Sequence, residues 1–119
     1  MDFLDHMIDA CSAAQAGFYF EEGGCIGMAI AIHDALQAEG CIPTFVSMTQ
    51  TAHVAVMVDD IVYDHQGACR NPHTVKPITL EQLHALGSEW NSDIEADAAW
   101  AREIISLARD FAAAPGPTP

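Results

Sequence analysis

The sequence predicts an α+β fold in which a buried, cysteine-bearing helix packs on a small antiparallel sheet of about three strands, with further helices flanking it. Three observations predict it. Residues 24–39 are apolar on nearly every side until the last two turns, as a helix buried all round must be. Segments 42–49, 52–58 and 61–66 follow, rich in β-branched residues and short enough for strands. Before and after them, apolar residues recur at three- and four-residue steps, the period of amphipathic helices. With 119 residues, half of them apolar, the chain is long enough for one domain with its own core and too short for two.

Taken in order, residues 2–15 read as a first helix, with Phe3, Leu4, Met7, Ile8 and Cys11 on one face and Asp2, Asp5 and Asp9 on the other. The connector that follows holds Phe18, Tyr19 and Phe20, which suit either a substrate cleft or a cover over the core. Gly23-Gly24-Cys25 then leads into the apolar helix, and Gly40 is placed to end it. Pro43 stands near the start of the first strand, where a missing N–H is tolerated. Asp59-Asp60 reads as a two-residue hairpin turn between the second and third strands. From 67 to 77 the glycine, asparagine and prolines predict irregular chain. Thr79-Leu80-Glu81-Gln82 is a capping box opening a short helix that Gly87 should stop, and Ser92-Asp93-Ile94-Glu95 is a second. The single domain is expected over 1–111, with a loose Pro/Gly-rich tail over 112–119.

Seventeen acidic residues against four basic ones give a net charge of −13. Such a chain repels polyanions and lacks the lysines and arginines to neutralise phosphates, so a nucleic-acid partner is not expected. The charge serves solubility or attracts a basic protein partner. No apolar run reaches the ~20 residues of a membrane span, and the acidic start Met1-Asp2-Phe3-Leu4-Asp5 does not read as an export signal. A cytoplasmic, reducing setting is therefore expected, with the four cysteines unbridged. Cys11 and Cys41 read as small apolar packing residues. The six histidines lack metal-ligand spacing, apart from a weak hint in His65, Cys69 and His73, so neither a metal nor a cofactor is expected.

The chemistry concentrates on Cys25. In the first turn of a helix a thiol lies at the positive end of the macrodipole, beside N–H groups without intrahelical partners, a setting that favours thiolate. Downstream, His53 and Asp64 supply a base and an orienting acid. With Asp59-Asp60 as a two-residue turn, Val56 pairs with Tyr63, Ala55 with Asp64, and His53 lies opposite Gln66. His53, Ala55 and Met57 then share a face with Val62, Asp64 and Gln66, which brings His53 and Asp64 within reach diagonally. The Cys25 N–H is one half of an oxyanion hole. Gln15 or Tyr19 is a candidate for the other half, with Gly24 and Gln66 lining the site. Cys69, beside Arg70, is the rival nucleophile, but no helix start supports it.

Gly24-Cys25 with Ala29 and Ala31, then His53-Val54-Ala55-Val56, then Tyr63-Asp64 with Gly67 resemble the papain-like and transglutaminase-like cysteine-hydrolase superfamily over residues 15–68. The resemblance implies a papain-like core, a Cys-His-Asp triad and thiol-dependent acyl transfer on a peptide, amide, isopeptide or ester bond through a thioester. Two features depart from the pattern: no aromatic follows Cys25 directly, and the Cys–His interval is short. From a different class, the alternative is a non-catalytic acidic binding or inhibitor protein, or a catalytically dead adaptor, engaging a basic surface.

Overall fold

The computed structural model describes residues 2–16, 19–20, 24–48, 53–69 and 75–113. A 3-10 turn, Asp2–His6, leads into α1 (Met7–Ala13), and the apolar helix is α2 (Cys25–Ala38). Strands β1 (Thr44–Met48), β2 (His53–Val58), β3 (Ile61–Asp64), β4 (Gly67–Cys69) and β5 (Val75–Pro77) follow, then α3 (Leu80–Glu89) and α4 (Ile94–Ala113). The class is α+β, as expected, but the antiparallel sheet has five strands in the order β4-β3-β2-β1-β5 rather than about three. The two additional strands come from the segment expected to be irregular. Each is three residues long, too short for alternation to show, and each adds to an edge of a sheet already formed.

The first helix is likewise divided, because residues 2–6 wind as a 3-10 turn before α1 begins. Three helices end in the same way. After α2, Gly40 takes φ +88°, its N–H bonds Gln37 O at 3.0 Å, and Cys41 N–H bonds Leu36 O at 3.1 Å. This paired closure around one left-handed residue satisfies two orphan carbonyls. Gln15 closes α1 with φ 56° and the corresponding bonds to Ser12 and Cys11, and Asn91 closes α3 with φ 55° and bonds to Ser88 and Gly87.

The last case corrects two expectations. Gly87 does not stop its helix; it lies buried within α3 against the Ile94 side chain, and the left-handed residue that ends the helix is Asn91. Ser92 N–H is spent on that closure, so the cap of α4 passes to Asp93, whose carboxylate accepts from Ala96 N–H at 3.2 Å. The Thr79–Gln82 capping box is present in both directions, at 3.1 and 2.9 Å. Helix α4 also runs two residues into the stretch expected to be loose tail, and 114–119 lie outside the described residues.

The core lies on one face of the sheet. Val54, Val56, Val58, Phe45 and Tyr63 pack there against Met28, Ile32 and Leu36 of α2, with α1, α3 and α4 closing over them. A smaller cluster, Val46, Ala55 and Val62, is buried on the opposite face. Gly27 sets the distance between α2 and α4: a side-chain carbon there would sit 2.6 Å from the Ala98 backbone nitrogen.

The helix closures can be tested as a pair. No atom lies within 4 Å of a Cβ placed on Gly40, so Gly40→Ala has only the left-handed backbone to contend with and should lose about 1 kcal/mol. Gln15→Gly removes that same cost and should gain a comparable amount. Urea unfolding should therefore move the two midpoints in opposite directions.

Candidate active site

Cys25 is the first residue of α2, preceded by Gly24 at the N-cap. The helix starts there because the apolar run begins directly after the N-cap glycine. His53 opens β2 and Asp64 closes β3; these strands are antiparallel neighbours, so both residues stand at the same end of the sheet. Their register follows from the hairpin turn. Asp59 and Asp60 both take positive φ, 49° and 66°, which is the type I′ geometry that matches strand twist. Val58 then pairs with Ile61, Met57 with Val62 and Val56 with Tyr63, as the sequence predicts.

His53 Nε2 and Asp64 Oδ2 are 3.0 Å apart. With Nε2 engaged there, Nδ1 is the ring nitrogen left for the Cys25 thiol, which borders the same small space. Cys25, His53, Asp64, His65, Met28 and Ala29 border one small space, too narrow to admit a water molecule. The Cys25 side chain is 2% exposed. The expected pairing of His53 with Gln66 does not form, because β3 stops at Asp64 and the chain turns through His65-Gln66 into β4. Gln66 contributes its backbone instead: its N–H donates to Asp64 Oδ1 at 2.8 Å and fixes the carboxylate. By strand alternation His53 and Asp64 belong to the sheet face of Ala55 and Val62, but their position at the sheet end brings them to the start of α2.

The electrostatics follow from these contacts. The hydrogen bond to Asp64, then the neighbouring Cys25 side chain, raise the His53 pKa to about 9 against the opposing effect of burial. For Asp64, burial works to raise the pKa, but the bonds from His53 and the Gln66 N–H, with the nearby His65 and His53 charges, hold it below its ordinary value. Over neutral pH the pair is imidazolium and carboxylate.

The remaining candidates are dispersed. Gly24 lies directly under the rings of Tyr19 and Phe20. The Tyr19 hydroxyl donates to the buried Asp97 carboxylate, which lifts its pKa to about 12, so this group is committed elsewhere and is no oxyanion donor in this arrangement. Phe20 is fully buried beside Trp100 and belongs to the core, while Phe18 lies outside the described residues. Gln15 is exposed in its left-handed turn and does not border the site. Cys69 pairs with Val62 in β4; its side chain, Arg70 and His73 lie outside the described residues.

Sequence reasoning grouped His65 with Cys69 and His73 rather than with His53 and Asp64, while Cys11, read as a packing residue, is buried in the core as expected. His65 is 5% exposed, and its ring meets that of His53 edge-on at a centroid distance of 6.0 Å. The sequence signal was Asp64-His65-Gln66-Gly67, a tight turn ending in glycine, which takes φ +94°. The Cys11 thiol points at the His65 carbonyl at 3.6 Å, and burial, then the Asp64 charge, push its pKa up to about 11. Ligand atoms of His53, Asp64 and His65 all lie within 4.8 Å of one another, so among the described residues these three are placed to hold a metal ion. A larger cavity of about 650 Å³ lies between α2, β1, α3 and α4, lined in part by His33, Phe45, His84 and Arg102. It shares no residue with the triad, and the chemistry favours the smaller site despite its size.

Among the described residues no helix is long and apolar enough to cross a membrane. Comparison with known protein families, curated proteins and solved structures finds no match to this chain.

The charge pair makes stability depend on pH with a definite sign. A raised His53 pKa stabilises the fold below the unfolded value of ~6.5, and that contribution is lost as pH rises towards 9. A lowered Asp64 pKa stabilises above its unfolded value and is lost as pH falls through the acid range. The Tm should therefore fall on both sides of neutrality. In Asp64→Asn the His53 ring-proton titration, followed by NMR, should drop towards the ordinary histidine range, and the alkaline loss of Tm should shrink.

Proposed function

We propose that the protein is a cysteine-dependent hydrolase or acyltransferase acting on an amide, isopeptide or ester bond through a thioester. The observation that carries this is the continuous line from the Cys25 thiol to the His53 ring to the Asp64 carboxylate, with Asp64 held in turn by a backbone N–H. The proton that makes His53 an imidazolium is the one given up by the Cys25 thiol through Nδ1, and the sulfur so released attacks the substrate carbonyl carbon. The carbonyl oxygen becomes an oxyanion beside the Cys25 N–H, which as the first N–H of α2 has no carbonyl four residues back within the helix. As the tetrahedral centre collapses, His53 returns its proton to the leaving amine or alcohol, and Cys25 keeps the acyl group. Water or a second nucleophile then gives its proton to His53 and takes the acyl group, restoring the thiol. Asp64 holds the ring orientation and stabilises the imidazolium throughout.

The order of nucleophile, base and acid, on helix start, strand and strand, supports a papain-like or transglutaminase-like reading. The two departures around Cys25 leave the substrate class at the level of the acyl bond.

A second reading has its own observation. Cys25 is 2% exposed and no water fits beside it, so a substrate reaches the thiol only after neighbouring groups give way. That burial suits a non-catalytic protein whose acidic surface, with net charge −13, engages a basic partner.

Alkylation of Cys25 by iodoacetamide separates the two. Located by peptide mass about two units below the ordinary thiol pKa of ~8.5, it should be rapid in the wild type and at least about tenfold slower in His53→Ala. Turnover of an activated ester should vanish in Cys25→Ala and fall by roughly 10² or more in His53→Ala. A thiol that reacts alike in wild type and His53→Ala overturns the catalytic reading.

A further inference from the structure

We propose that His53, Asp64 and His65 form a binding site for a divalent transition-metal ion of the zinc class, and that an ion bound there switches the thiol chemistry off. The second part rests on the acyl-transfer reading; the first rests on the donors alone. Two imidazoles and one carboxylate place their ligand atoms within 4.8 Å of one another. The His53 Nε2 to Asp64 Oδ2 separation of 3.0 Å is close to the ~3.3 Å edge of a tetrahedron built on metal–ligand bonds of ~2.0 Å. His65 closes the remaining gap from an adjacent turn position.

Two nitrogen donors with one oxygen suit zinc and its neighbours over calcium or magnesium, which take oxygen shells. Three protein donors are the number used by zinc sites that keep an open position. The donors are also braced from behind. Gln66 N–H holds the other oxygen of Asp64 at 2.8 Å, and the Cys11 thiol meets the His65 carbonyl at 3.6 Å. His65 is almost wholly buried, and the acyl-transfer mechanism has no use for it.

The inhibition follows from proton bookkeeping on His53. A metal on Nε2 displaces the proton otherwise shared with Asp64, which leaves to solvent. The neutral, coordinated ring then carries its one remaining proton on Nδ1, the nitrogen facing Cys25. No longer an imidazolium, the ring ceases to hold a thiolate: the sulfur takes a proton back from solvent, and Nδ1, already protonated, cannot remove it, so the nucleophile loses its base. Asp64, tied to the metal, no longer stabilises an imidazolium.

The test uses the full chain, freed of metal and titrated with zinc chloride against a chromophoric chelator. One zinc per chain should bind with micromolar or tighter affinity, and cobalt(II) in its place should give the visible absorption of a low-coordinate site. Zinc should slow iodoacetamide alkylation of Cys25 by about tenfold or more, and a chelator should restore it. In His65→Ala the affinity should fall by roughly 10–100-fold, and at matched zinc the protection should disappear. Because His65 is buried, His65→Gln serves as a second variant that keeps more of its volume. A wild type that binds no zinc at submillimolar concentration overturns the inference, as does equal affinity in wild type and His65 variants. His53 dependence of Cys25 alkylation, measured without metal, keeps the two proposals apart. No zinc binding beside a His53-dependent thiol overturns the metal site alone. Zinc binding beside a thiol indifferent to His53 overturns the acyl-transfer reading, and the switch with it.

Discussion

The hairpin joining β2 and β3 is the constraint on which the candidate site depends. Two consecutive aspartates in left-handed conformation form its turn, and that turn admits one register. A slip of one residue would carry Val54, Val56 and Val58 out of the helix-covered core and put Ala55 and Met57 in their place. The same slip would part His53 from Asp64. Core burial and site geometry are thus enforced together, and the apolar face of β2 guards the register of the polar contact at its end.

Helix α2 brings the third member of the triad. It is buried because α4 covers the side that the sheet leaves, and Gly27 permits that approach by presenting no side chain to the Asp97–Ala98 backbone. A helix confined on both sides has little freedom to slide, so Cys25 at its first turn is held in relation to the end of β2. The thiol accordingly owes its position to packing along the length of the helix.

A charged pair at the edge of an apolar core costs desolvation, which ion pairing alone often fails to offset. Here the cost is met by several hydrogen bonds converging on two side chains. Asp64 receives one from the His53 ring and one from the Gln66 amide, while the ring reaches Cys25 on its other side. Both side chains are only partly buried, at 12% and 18% exposure, which keeps the penalty moderate. With the buried His65 and Cys11 behind them, and Cys25 beside them, five titratable groups gather at this end of the sheet. Such crowding is common where chemistry or ligand binding takes place and has no evident purpose in packing.

Much of this was written locally. The α+β class, the buried helix over residues 24–39, the β2–β3 register, the capping box at Thr79 and the nearness of His53 to Asp64 all follow from short-range pattern. Periodicity, turn chemistry and burial each act over a few residues. Where the reading went astray, a distant contact had decided between local options. Gly87 offered a helix stop, yet Ile94 packs against it and the helix runs on to Asn91. Residues 67–69 and 75–77 are strands only because β3 and β1 offer free edges to pair with. Tyr19 had the right chemistry for an oxyanion donor until Asp97, on a helix far along the chain, took its hydroxyl. By itself the sequence determined the longer elements and which of their residues share a face, since steric and hydrogen-bonding preferences are properties of neighbours. Only the tertiary structure decided which polar groups remain available for chemistry, because that depends on what the rest of the chain places beside them.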